Sequence, residues 1–75
     1  MQSADFLVEL QELLQCDIPL SVDTALAEME EWDSLAVMSC VAYLEKHFGM
    51  KTKISQYKKI RTVADLIALA GGAIR

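Results

Sequence analysis

One segment of this chain carries both ends of a helix and the pattern between them. From Ser34 to Phe48, apolar side chains recur at Leu35, Met38, Val41, Leu44 and Phe48. That three- and four-residue spacing collects side chains on one side of an α-helix. Asp33, just before it, is a residue type that caps helix N-termini by accepting a backbone N–H, and Gly49, just after it, is the type that ends helices. Val37, Cys40 and Tyr43 widen the apolar surface beyond what one core face needs. Part of that surface is therefore either sandwiched between neighbours or offered to a partner.

The rest of the chain supplies what this helix packs against. Phe6, Leu7, Leu10, Leu13 and Leu14 predict a helix over 4–15, with Glu9, Glu12 and Gln15 on the other side. Ser3 is its expected cap, and Asp5 suits its positive end. Thr62-Val63-Ala64-Asp65 has the spacing of a capping box and predicts a last helix with Val63, Leu66, Ile67 and Ala70 inward, ended by Gly71-Gly72. After the basic link 50–54, which ends at Ile54, residues 55–60 read as one short helix with Tyr57 and Ile60 inward. Residues 16–33 form a long connection in which Pro19 discourages a helix. A structureless loop of that length is unusual in a compact domain. Its Ile18, Leu20, Val22, Leu26 and Met29 predict that it lies on the bundle, with a turn of helix over 25–28, and Trp32 is expected to pack there too. The expected fold is all-α: a small four-helix bundle, three longer helices plus one short helix, with a long first loop.

A chain of 75 residues has room for one domain, taken as 1–75. No apolar run is long enough for a bilayer and the first residues lack a basic segment, so no stable membrane insertion and a cytoplasmic location are expected. Met1 and an end just after the last helix are what a stand-alone protein would show. Cys16 and Cys40 are too few for a disulfide framework and read as small, partly buried free thiols. Residues 1–45 hold ten of the eleven acids and none of the seven Lys and Arg. A net charge of −4 makes the chain a poor nucleic-acid binder, while its acidic half can steer toward basic partners.

Glu30-Glu31-Trp32-Asp33-Ser34-Leu35 is the stretch with chemical content. It sets one serine at the end of a long loop and the start of an amphipathic helix. Free N–H groups and the helix dipole there stabilise a phosphate, so a phosphodiester on Ser34 would sit well. The plain alternative is that Asp33 or Ser34 does no more than cap the helix. His47 has no Cys, Asp or His spaced with it for a metal site, and it lies about 20 Å along the helix from Ser34, too far for a nucleophile–base pair.

In this frame the chain resembles the acyl carrier protein family. The resemblance spans about Phe6 to Gly71 and rests on the leucine-rich first helix, the long loop, Glu-Trp-Asp-Ser-Leu at 31–35, Leu44-Glu45-Lys46-His47-Phe48-Gly49, and the pattern Ile54, Ile60, Thr62-Val63, Asp65-Leu66. The resemblance implies a carrier and not an enzyme. Ser34 would receive 4′-phosphopantetheine from coenzyme A, by a magnesium-dependent phosphopantetheinyl transferase that Asp33 assists. The arm would carry acyl or related thioesters from a loading ligase or acyltransferase to synthase enzymes. Leu35, Met38, Ala42 and Glu45 match positions that face partners in the family, though Leu35 and Met38 suit a core equally well. A monomer is expected.

The chain departs from the family where acids are common. Ala36, Val37, Met38 and Ser39 follow the motif, Lys46 replaces an acid, and Lys58-Lys59-Ile60-Arg61 is basic. This points to a dedicated pathway more than to general fatty-acid synthesis. Cargo stays open among fatty acyl, polyketide and aminoacyl groups. Asp-Ser-Leu looks more like acyl than peptidyl carriers, which place glycines before the serine. An unmodified helical adaptor using the apolar second helix is the competing reading.

Overall fold

The two long apolar stripes become the two long helices. In a computed structural model, which describes residues 1–75, α1 spans Ser3–Leu14 and α2 spans Ser34–Phe48. A short α3, Ile54–Tyr57, and α4, Val63–Leu69, follow. The long connection holds one 3₁₀ turn, Leu26–Glu28. The chain is thus the all-α bundle expected, with a long first loop.

α1 buries Phe6, Leu10 and Leu14, one side chain per turn. Its cap differs from expectation. Ser3 is the first helical residue, and the preceding Gln2 gives no side-chain hydrogen bond. The end of the chain takes over that task. The Ser3 N–H donates to the Arg75 carbonyl, and the Arg75 N–H donates to the Met1 carbonyl at 2.8 Å. At the other end Gln15 is left-handed (φ 54°), which costs a non-glycine residue roughly 1 kcal/mol. Its N–H and that of Cys16 close the last turn on Glu12 and Gln11 carbonyls.

α2 is turned relative to the stripe read from its sequence. Its buried side chains are Ala36, Cys40 and Leu44, whereas Leu35 and Met38 are 72% and 57% exposed. Size explains the choice. Small residues at 36 and 40 let α2 lie close to α1, and Ala36 shares a surface with Leu13 and Leu14. The larger Leu35 and Met38 are left outside. Both cysteines are buried free thiols, as expected.

The loop is held down by more than apolar contact. Leu20 and Leu26 are buried, though Ile18 and Val22 are not. The first amides of any helix lack partners inside it, and α4 lends two of them to the loop. The Val63 N–H donates to the Thr24 carbonyl at 3.0 Å and the Ala64 N–H to the Val22 carbonyl at 2.8 Å. The Ala27 N–H returns a bond to the Arg61 carbonyl at 3.1 Å. The Thr62–Asp65 capping box completes the start of α4. α3 is shorter than predicted and begins at Ile54, which is exposed, while Tyr57 and Ile60 are buried as expected. Val63, Leu66 and Ala70 are buried, and Gly71 and Gly72, both at positive φ, turn the chain so that Ile74 returns to the core.

Candidate functional site

Asp33 fixes the local geometry. Its backbone is extended, and its Oδ1 accepts the Ala36 N–H at 2.9 Å, while its carbonyl accepts the Val37 N–H at 3.0 Å. The cap of α2 is therefore Asp33, and Ser34 is free of that duty. Ser34 is exposed at the first helical position. The backbone N–H groups of Ser34 and Leu35 precede the first intrahelical bond and point from the helix start without an internal acceptor. No acidic side chain occupies the first turn. An anion on the Ser34 oxygen would meet free donors and the positive end of a fifteen-residue helix.

Beside Ser34 an open groove of about 500 Å³ runs between α2 and α3. Val37, Tyr57 and Ile60 belong to its lining, together with Trp32 from the loop and the exposed Met38 and Ile54. Its charged residues are Asp33 and Lys58. By contrast, the interior lined by Phe6, Leu10, Cys40, Leu44 and Leu66 has no space for even a water molecule. A small molecule would enter it only if the helices moved apart.

The residues matched to a partner surface, Leu35, Met38, Ala42 and Glu45, are all exposed and follow one another down one side of α2. Ile54 and Lys58 escaped the sequence reading as site residues. Their only signal was an isolated isoleucine at the end of a basic link and a lysine one turn later, which mean nothing until α3 packs on α2.

Two groups of α2 have raised pKa values through packing. Burial pushes the Cys40 thiol up to about 12. Burial, then the hydrogen bond to Glu9, raises the Tyr43 phenol. His47 stacks on Tyr43, with ring centroids 4.2 Å apart. That cluster ties α2 to α1 at the end of α2 remote from Ser34. No group of three or more His, Cys, Asp or Glu is placed to hold a metal.

Comparison with known proteins fits this geometry. A family model described as "Phosphopantetheine attachment site" matches residues 4–70. No curated protein matches the chain. Among solved structures, the solution NMR structure of a holo acyl carrier protein from Geobacter metallireducens is similar, with a TM-score of 0.69 and 25% sequence identity. That similarity covers 91% of this chain and 79% of the other. With the family match running from α1 through α4, the chain belongs to the phosphopantetheine-attachment family of acyl carrier proteins.

Proposed function

We propose that Ser34 is the attachment residue and that the protein is a dedicated acyl carrier for one biosynthetic pathway. The observation that carries this reading is the exposed, uncommitted Ser34 at the start of α2, inside the matched segment. The residues present fit the group: two free N–H donors and an acid-free first turn suit its phosphodiester. Bound there, 4′-phosphopantetheine supplies a terminal thiol that holds acyl groups as thioesters.

The chain's own residues position, expose and recruit. Ser34 Oγ, free of any capping bond, would be presented to a phosphopantetheinyl transferase, lose its proton and attack the pantetheine-bearing phosphorus of coenzyme A, so that a serine O–P bond forms, the pyrophosphate bond breaks and adenosine 3′,5′-bisphosphate leaves. Asp33 holds the first turn of α2 through Oδ1 and keeps Oδ2 for the transferase and its magnesium. Leu35, Met38, Ala42 and Glu45 form the face offered to the loading ligase or acyltransferase and to synthase enzymes. Ala36 to Ser39 carry no acid, so partners grip this face more by apolar contact than by charge. Tethering raises the local concentration of cargo at whichever enzyme is docked. The protein acts as a monomer in the cytoplasm, in fatty-acid, polyketide or related biosynthesis; no helix is long and apolar enough to cross a membrane.

The test is intact mass after incubation with coenzyme A, magnesium and a broad-specificity transferase. The expected result is a gain of one phosphopantetheine on the wild type and none on Ser34→Ala. A folded wild type that stays unmodified with several transferases refutes the assignment.

A further inference from the structure

We propose that the basic surface around α3 docks an acidic protein. Lys51, Lys53, Lys58 and Lys59, with the exposed Ile54 among them, fit a partner surface that sets Asp and Glu side chains around an apolar spot. The inference goes beyond the attachment role, since it needs no modification of Ser34. Two short runs of sequence supply the cations, and one contact brings them together. The Thr52 and Tyr57 hydroxyls share a hydrogen bond at 2.8 Å, which ties the link before α3 to the last residue of that helix. Lys51 and Lys53 flank Thr52. Lys58 and Lys59 are exposed between Tyr57 and Ile60, both buried. The Lys53 N–H donates to Gln56 Oε1 at 2.7 Å and fixes the entry to α3. Lys53 and Lys58 are then roughly 8 Å apart along the helix axis, close enough for their fields to add at physiological salt.

The segment carries no charge that offsets the lysines. Residues 46–64 hold six of the seven Lys and Arg and no Asp or Glu. Of the acids that bound it, Glu45 belongs to the exposed side of α2 with Met38 and Ala42. Asp65 is committed to the start of α4, where its Oδ2 accepts the Arg61 and Thr62 N–H groups at 3.0 and 3.1 Å. Arg61 lies where the segment meets the acidic loop, its carbonyl bonded to the Ala27 N–H, and stands apart from the four lysines. Domain surfaces ordinarily intersperse the two signs, and a field of one sign steers a partner. Ile54 is 54% exposed and lies one helical turn from Lys58 on the same side of α3. An apolar side chain among charges is the anchor and rim of a protein interface. The rest of the chain decides which polyanion fits. All eleven acids lie outside 46–64, so an extended anionic surface, a bilayer or a nucleic acid, is repelled beyond α3. A compact acidic patch meets only the lysines. The charge split thus sorts partners by sign: an acidic one approaches from α3, a basic one from Glu28, Glu30, Glu31 and Asp33.

The test is an NMR titration of the ¹⁵N-labelled, unmodified protein with a synthetic peptide that alternates Glu and Leu. A peptide with Lys in place of Glu, phosphatidylglycerol vesicles and duplex DNA are titrated in parallel. The expected result is saturable amide shifts confined to residues 51–60 with the Glu peptide, weakened as salt is raised, while the Lys peptide shifts residues 28–33 instead. Lys58→Glu with Lys59→Glu weakens Glu-peptide binding roughly three- to ten-fold, the span of two exposed ion pairs, and so does Lys51→Glu with Lys53→Glu. Lys58→Arg with Lys59→Arg preserves binding, as does Arg75→Glu, which reverses a charge away from α3. Ile54→Ala weakens binding and leaves its salt dependence unchanged. Circular dichroism confirms that each variant is folded. Binding that survives both pairs of Glu substitutions, or shifts spread over the whole chain, overturns the surface. Tighter binding of vesicles or DNA than of the Glu peptide overturns the protein partner.

Discussion

Replacing Asp33 separates two jobs that one side chain performs. Its Oδ1 takes the Ala36 N–H at 2.9 Å, the third amide of α2, and its negative charge faces whatever approaches Ser34. Asp33→Ala removes both. Loss of an N-cap acceptor costs about 1 kcal/mol, within a range of roughly 0.5–2. In a domain of 75 residues that is a fall in Tm of about 4–8 °C per kcal/mol. Asp33→Asn keeps a carbonyl oxygen in the capping position and loses only the charge, so its stability stays within a few tenths of a kcal/mol of wild type. Thermal and urea unfolding by circular dichroism give the stabilities, and transferase time courses read by intact mass give the modification rates. If Asp33 serves the transferase through its carboxylate, both variants are modified slowly although only Asp33→Ala is destabilised. If Asp33→Asn loses as much stability as Asp33→Ala, the capping account is wrong. If Asp33→Asn is modified at the wild-type rate, Asp33 contributes to modification only by shaping the helix start.

Three further outcomes are expected. Leu26→Ala, at a fully buried position in the 3₁₀ turn, costs about 2–5 kcal/mol in urea unfolding, whereas Ile18→Ala in the same loop changes stability by less than about 0.5; similar losses would mean that the loop does not pack as described. Cys40, with its thiol pushed up to about 12 by burial, resists alkylation at pH 8 until denaturant is added, and its linkage to folding destabilises the protein only as pH rises past the unfolded thiol's value of 9.0; rapid labelling of the native protein would contradict its burial. Asp65 is held below its ordinary 3.8 by the N–H groups of Arg61 and then Thr62, so its contribution is present above about pH 4 and is lost as pH falls through the lower folded value; Asp65→Asn flattens the acid limb of a Tm-against-pH curve, and an unchanged limb would dismiss the effect.

What the sequence disclosed was local. Asp33 and Gly49 bracket α2, and Thr62 with Asp65 starts α4, because a cap and the amide it meets lie within a few residues of each other. The position of Ser34 as the first residue of α2 was legible for the same reason. The facing of α2 was not, because both of its sides are apolar. Only packing against Leu13 and Leu14 decides that Ala36 goes in and Leu35 stays out. Ser3 suggested a cap, yet the partner of its amide is Arg75 at the far end of the chain. The groove beside Ser34 was hidden because Trp32, Met38, Ile54 and Lys58 come from three separate segments.

The bonds between the loop and α4 bear on how the molecule opens. The carbonyls of Val22 and Thr24 occupy the leading amides of α4, so neither segment leaves without stripping the other of its hydrogen bonds. Amides at Ala27, Val63 and Ala64 therefore exchange with solvent as one cooperative unit, with a common opening free energy. The connection that leads to Ser34 is in this sense a structural member tied to the last helix and not a swinging strap.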